Sequence, residues 1–137
     1  MENIDYSTPY ISAKEYLLAK GVDLEVELQD DDNKTVKVER FIKDLTDYVM
    51  NELSKRYCCN DLNTNVTDFA TLKLFRRERF HKGMIEQIEY VLNNGLIHQD
   101  AGVNKQMGII IDYSNVLISE SAFNEFYLGA FCNIKRC

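Results

Sequence analysis

Lys34-Thr35-Val36-Lys37-Val38-Glu39-Arg40-Phe41-Ile42-Lys43-Asp44-Leu45-Thr46-Asp47-Tyr48-Val49-Met50-Asn51-Glu52-Leu53-Ser54-Lys55-Arg56-Tyr57 is the stretch that decides the class of fold. Val38, Phe41, Ile42, Leu45, Tyr48, Val49, Leu53 and Tyr57 return at steps of three and four, the period of one face of an α-helix. Lys37, Glu39, Arg40, Lys43, Asp44, Asp47, Asn51 and Lys55 fill the opposite face. A helix of this length with a wide apolar stripe must bury that stripe against other elements, so the chain reads as a helical bundle.

Working toward the C-terminus, Cys58 to Asn65 is a polar turn rich in Asn and Asp. A second long helix starts at Thr67 or Asp68 and runs to Asn94. Phe69, Leu72, Phe75, Phe80, Met84, Ile85, Ile88, Val91 and Leu92 form its apolar set, and Asn93-Asn94-Gly95 stops it. Phe75 and Phe80 lie off one straight stripe and Gly83 weakens the middle, which places a kink or break between Phe75 and Phe80. Leu96 to Leu117 carries Gly102 and Gly108 and two β-like patches, Ile109-Ile110-Ile111 and Asn115 to Ile118, read as a loop or loose hairpin turned at Asp112 to Asn115. Ser119 caps a last short helix, Glu120 to Leu128, with Ala122, Phe123, Phe126 and Tyr127 as its stripe and Gly129 ending it in a left-handed turn.

Toward the N-terminus, Asp31, Asp32 or Asn33 can cap the first long helix. Val22, Leu24, Val26 and Leu28 alternate with acidic residues, a period of two that suggests a strand, with an acidic linker folded into helix as the alternative. Ser12-Ala13-Lys14-Glu15 fits a capping box for a helix from Ala13 to about Lys20 that stops at Gly21 and turns Tyr16, Leu17 and Leu18 inward. Residues 1–11 are an irregular lead. The expected fold is therefore mainly α, a small bundle of about four helices, two long and two short, with an irregular or loosely β segment before the last. The 137 residues suit one domain, 1–137, with 130–137 as a tail.

Composition excludes several functions. A net charge of −6 argues against non-specific nucleic-acid binding, which rests on Lys and Arg at phosphates. No apolar run approaches the ~20 residues that span a bilayer, and no signal peptide is evident. Cys58, Cys59, Cys132 and Cys137 read as reduced thiols, with a disulfide from the tail to the 58/59 pair as the alternative. Cys132 and Cys137 lack a second pair at zinc spacing, and Asp30-Asp31-Asp32-Asn33 lacks the glycine and glutamate of a calcium loop, so no metal and no cofactor is expected. His81, among Arg76, Arg77, Arg79 and Lys82, reads as solvated, as does His98, and no nucleophile motif accompanies either. An enzyme built on Cys58 or Cys59 is the weakest alternative. The basic run Arg76, Arg77 and Arg79, with His81 and Lys82, reads as a solvated helix face or a surface that meets an acidic neighbour; Arg76, Arg77 and Arg79 with the tail residues Phe131, Ile134, Lys135 and Arg136 are the candidate partner interface.

Two stretches carry a resemblance. Phe80-His81-Lys82-Gly83-Met84-Ile85-Glu86-Gln87-Ile88-Glu89-Tyr90-Val91-Leu92-Asn93-Asn94-Gly95 is similar to a helix of the head–tail connector (adaptor) proteins of tailed bacteriophages, at Gln87, Tyr90 and Gly95. Ile118-Ser119-Glu120-Ser121-Ala122, with Leu128-Gly129, is similar to the start and end of that family's C-terminal helix, and Lys135-Arg136 stands where its basic tail does. Glu120 replaces the proline that often follows the capping serine, Phe126-Tyr127 thickens the last helix, and the Val22–Asn33 approach is long. The resemblance implies a structural virion protein, made in the host bacterial cytoplasm and located in the neck. Its subunits would form a homo-oligomeric ring, dodecameric in the virion, beneath the portal protein. The ring would extend the DNA channel without specific DNA binding and meet a neck or tail-completion protein. The alternative is a small acidic helical protein-binding or regulatory module, such as a phage-encoded inhibitor.

Overall fold

The computed structural model describes residues 4–28, 36–56, 66–94, 97–99, 109–111 and 117–131. It is mainly helical. In chain order α1 spans Ala13–Lys20, α2 Leu24–Glu27 and α3 Val36–Arg56; a 3₁₀ turn spans Val66–Thr71; α4 spans Leu74–Asn93; β1 is Ile97–Gln99, β2 is Ile109–Ile111; and α5 is Glu120–Leu128. Among the described residues, no helix is long and apolar enough to cross a membrane.

Helix α3 obeys its sequence pattern. Val38, Phe41, Ile42, Leu45, Val49 and Leu53 are all buried, and Tyr48 packs against them from the edge. Thr46 sits in the same interior and returns its hydroxyl to the Ile42 carbonyl at 2.6 Å, so its polar atom needs no water. Tyr57, the Asp31–Asn33 cap, the four cysteines and the Asp112–Asn115 turn lie outside the described residues.

At α1, Ser12 accepts from the Glu15 amide at 3.0 Å and Gly21 closes the helix at φ 72, donating to the Leu17 carbonyl at 2.8 Å. The capping box is only half formed, because the Glu15 carboxylate turns to His81 instead of back to Ser12. The inward face also differs from expectation: Tyr16 is buried but Leu17 and Leu18 are exposed, and Glu15 takes the inward place. Residues 22–28 are not a strand. Asp23 accepts from the Glu25 amide at 3.0 Å and starts α2. Leu24 and Leu28, four apart, are both fully buried while Val26 is 72% exposed. The alternating pattern contained a helical pair, and the capping aspartate decided between the two periods.

The second long helix is interrupted, though not where expected. The break falls at Leu72–Lys73, between the 3₁₀ turn and α4, so Phe75 and Phe80 lie on one continuous helix. Phe75 is exposed and lies under the Arg79 guanidinium at 5.2 Å, whereas Phe80 is fully buried. The segment before α5 does contain strand pairing: β1 and β2 are antiparallel, with Ile97 opposite Ile111, His98 opposite Ile110 and Gln99 opposite Ile109. The Ile109–Ile111 patch thus pairs backward to residues 97–99, and the hairpin expected to turn at residues 112–115 lies outside the described residues.

The most extensive helix contact is that of α4 with α5. Gly83 makes it possible. A Cβ at Gly83 would stand 2.3 Å from the Phe126 ring, far inside contact distance. The glycine that weakens α4 by propensity is the socket for the largest buried side chain of α5, Phe126. Phe126 then meets Phe80 at 5.2 Å, Phe80 meets Phe131 at 5.2 Å edge-on, and Phe69 closes the cluster at 5.4 Å from Phe80.

The end of α5 corrects a second glycine reading. Gly129 has φ −85, and Ala130 occupies the left-handed region at φ 63. Phe131 N–H donates to the Phe126 carbonyl at 2.8 Å and Ala130 N–H to the Tyr127 carbonyl at 3.0 Å, the two bonds of a Schellman stop. Gly129 serves close approach instead: a Cβ there would meet Phe131 at 2.9 Å and the Arg79 Cβ at 3.0 Å. A left-handed alanine costs about 1–2 kcal/mol in conformation. Replacing exposed Ala130 with glycine should raise stability by about 0.5–1 kcal/mol after the larger entropy of the unfolded glycine is subtracted. A shift in the urea midpoint checks this.

Candidate functional site

Helix α4 carries Arg76, Arg77, Arg79, His81 and Gln87 of the residues singled out by sequence. Its side chains fasten three other parts of the chain: the lead before α1, the start of α5 and the end of α5.

Gln87, one of the residues that carry the resemblance, is fully buried and holds the start of α5. Its Nε2 donates to the Leu117 carbonyl at 2.8 Å, and its Oε1 accepts from the Ser119 amide at 2.9 Å. Ser119 in turn accepts from the Ala122 amide at 3.1 Å and so caps α5, as its sequence predicts. One amide side chain thus satisfies a backbone acceptor and a backbone donor at the point where the chain enters the last helix. Changing Gln87 to Leu strands both groups. Both bonds are partly buried, and a group stranded at such a place costs about 1 kcal/mol, so Q87L should lose roughly 2 kcal/mol. Thermal unfolding should report the loss, and Gln87→Glu, which keeps only the acceptor role, should fall between the two.

The arginines of the expected interface are engaged within the chain. Arg76 Nε donates to the Gly129 carbonyl at 2.8 Å and its Nη2 to the Ala130 carbonyl at 3.2 Å, while its guanidinium lies 4.8 Å from the Phe131 ring. This clasp neutralises carbonyls at the C-terminal end of α5, where the helix dipole is negative. Arg77 donates from Nε to Leu72 at 2.9 Å and from Nη1 to the Tyr6 carbonyl at 3.2 Å. Arg79 pairs with Glu125 at 3.0 Å. Phe131 is fully buried, a core residue and not a sticky surface. Ile134, Lys135 and Arg136 lie outside the described residues.

His81 is the residue that the sequence reading misplaced. It is not solvated: it is fully buried, between the Tyr6 ring at 4.8 Å and the Phe69 ring at 6.3 Å. Its Nε2 donates to the Thr8 carbonyl at 2.7 Å, and its Nδ1 lies 2.9 and 3.0 Å from the two carboxylate oxygens of Glu15, itself 6% exposed. The basic neighbours hid this, because Arg76, Arg77, Arg79 and Lys82 make the segment read as surface. The available signal was position: His81 lies one residue from Phe80 and three from Met84, on the buried arc of the helix.

Electrostatics elsewhere are structural. Lys20 on α1 bridges to Glu86 and Glu89 on α4, and the Glu86 contact raises its affinity for a proton. Tyr10 donates to Asp47 at 2.6 Å, and burial together with that bond pushes its hydroxyl well above the ordinary tyrosine range. Burial, with Glu89, Glu86 and Glu27 nearby, pushes Tyr16 up to about 12. Both tyrosines hold their protons more tightly folded than unfolded, so their stabilisation is complete below about pH 10 and declines as pH rises through their folded titration. Urea midpoints should fall between pH 10 and pH 12, and Tyr16→Phe should flatten part of that decline.

A shallow cleft of about 230 Å³ between α1, α4 and α5 is lined by Ala19, Lys20, Lys82, Ile85, Glu86 and Glu125. Lys20, Glu86 and Glu125 already have ionic partners there. Among the described residues, no cluster of His, Cys, Asp or Glu could hold a metal ion. The arrangement fastens backbone segments to a helix. Comparison with family models, curated proteins and solved structures finds no match for this chain.

Proposed function

We propose that the chain is a head–tail connector subunit of a tailed bacteriophage, one that assembles into a ring, dodecameric in the virion, beneath the portal and bridges capsid to tail. The observation that carries this reading is the Gln87–Ser119 contact. The two stretches that resemble the connector family are separated by more than twenty residues in sequence, and in the fold their key residues bond to each other, 2.9 Å from Oε1 to amide nitrogen. The resemblance therefore falls on one structural unit, the α4–α5 pair, and not on two unrelated segments. The net charge of −6 fits a wall past which DNA slides without being gripped. The partners in this reading are further copies of the chain, the portal protein and a neck or tail-completion protein.

Co-purification with the portal ring of the same phage tests it. The expected result is a complex whose mass fits one ring of this chain on one portal ring, with density for α4 and α5 facing the portal or the next neck protein. Capture of a single copy by one non-portal partner would instead identify a protein-binding module. Deleting residues 132–137 should weaken portal capture if the tail is an arm; unchanged capture would confine docking to the helical body.

A further inference from the structure

The lead, residues 4–11, is partly buried and is held in an unusual way. Among the described residues, no backbone–backbone hydrogen bond ties it to another element. It is held by side chains reaching to it. Arg77 and His81, one turn apart on α4, donate to the carbonyls of Tyr6 and Thr8, and the Tyr6 ring lies against the His81 ring. Pro9 and Ile11 are buried, and Tyr10 reaches Asp47 on α3.

Both halves of this contact are pre-shaped. Asp5 Oδ1 accepts from the Ser7 amide at 2.9 Å and from the Ser7 hydroxyl at 2.6 Å, so the lead carries its own turn. On the receiving side, Leu72 fixes Arg77 and Glu15 fixes His81, and neither belongs to the lead. The receiving groups therefore have partners of their own outside the lead, and what they read is chiefly backbone carbonyls and one aromatic ring.

We infer that this face of α4 is a docking site for a short peptide turn, and that the lead of a second copy of the chain can take the place of the resident one. The occupant is argued from the resident itself: an identical segment already fits. Exchange of this kind links copies without creating a new interface, because the bonds formed between copies are those broken within each. The inference does not depend on the connector reading.

The test uses the full chain and a fluorophore-labelled synthetic peptide of residues 4–12, followed by anisotropy. Saturable binding is expected, with none for a scrambled peptide. Tyr6→Ala in the peptide should weaken binding at least tenfold. Asp5→Ala in the protein, an exposed position, loosens the resident turn and should strengthen binding of the parent peptide severalfold, since a seated competitor lowers apparent affinity in proportion to its occupancy. No saturable binding at about 1 mM, or equal binding of the parent and Tyr6→Ala peptides, overturns the docking site. If the Asp5→Ala protein loses its helical circular dichroism, the peptide comparison on the unaltered chain decides alone. In a mixture of isotopically heavy and light chains, cross-links from lead to α4 should join heavy to light; links only within copies overturn the exchange.

Discussion

Phe126→Ala should cost the protein about 3–5 kcal/mol, a large share of the roughly 5–15 kcal/mol that holds a domain of this size. Phe126 is fully buried and contacts Phe80 at 5.2 Å, and its ring occupies the space that Gly83 leaves open. Truncation removes the transfer free energy of the ring and leaves a void that a helix pair clasped at both ends cannot collapse to fill. The melting temperature should fall by about 10 °C or more. Gly83→Val alone should also destabilise, because its Cβ would stand 2.3 Å from the ring. Combined with Phe126→Ala, however, it should recover part of the loss, since the added methyls occupy the void. Thermal melts of the two single variants and the double variant measure the coupling. Additive losses would show that Gly83 and Phe126 do not share one space.

His81→Leu should be comparably severe, about 3–5 kcal/mol, for a different reason. The substitution removes no large volume. It leaves the Glu15 carboxylate, 6% exposed, without its partner, and it strands the Thr8 carbonyl. The comparison that identifies the cause is the double variant His81→Leu with Glu15→Leu. When both members of a buried pair become apolar, the stranded polar group disappears, so the double variant should be more stable than His81→Leu alone. Urea denaturation followed at the helical circular dichroism band reports the order. A double variant weaker than either single variant would mean that packing, not the polar pair, sets the cost.

What the residues alone disclosed follows from which physical signal each position carries. α3 was legible because its apolar period runs unbroken through five turns, and Ser12, Ser119 and Gly21 because a cap is a local interaction between neighbours in sequence. Residues 22–28 misled because Leu24 and Leu28 satisfy both a period of two and a spacing of four, and the deciding Asp23 bond has no counterpart in hydropathy. The break at Leu72–Lys73 carries no proline or glycine. The glycines were visible as glycines, but their purpose was not: Gly83 and Gly129 answer to Phe126, Phe131 and Arg79, residues forty or more positions away or brought close by a turn. His81 and the Arg76–Arg79 run were missed for the same reason in electrostatic form. A charged side chain reads as solvated until the chain supplies a carboxylate or a row of carbonyls from far off, and Glu15, Thr8, Glu125 and Gly129 are all distant in sequence.

Adjacent residues of α4, Arg76 and Arg77, hold the two ends of the described chain, Ala130 through one guanidinium and Tyr6 through the other. That arrangement sets the timing of folding during synthesis. When α4 leaves the ribosome, its Gly83 socket, its Gln87 amide and its Arg76 clasp all still wait for residues 117–131. At translation rates of roughly 5–20 residues per second, that wait lasts some seconds, during which Phe80 and its neighbours are uncovered. The domain closes only once Phe131 has been made, so a nascent chain stalled before that residue should be open to proteases along α4, and one released after it should not.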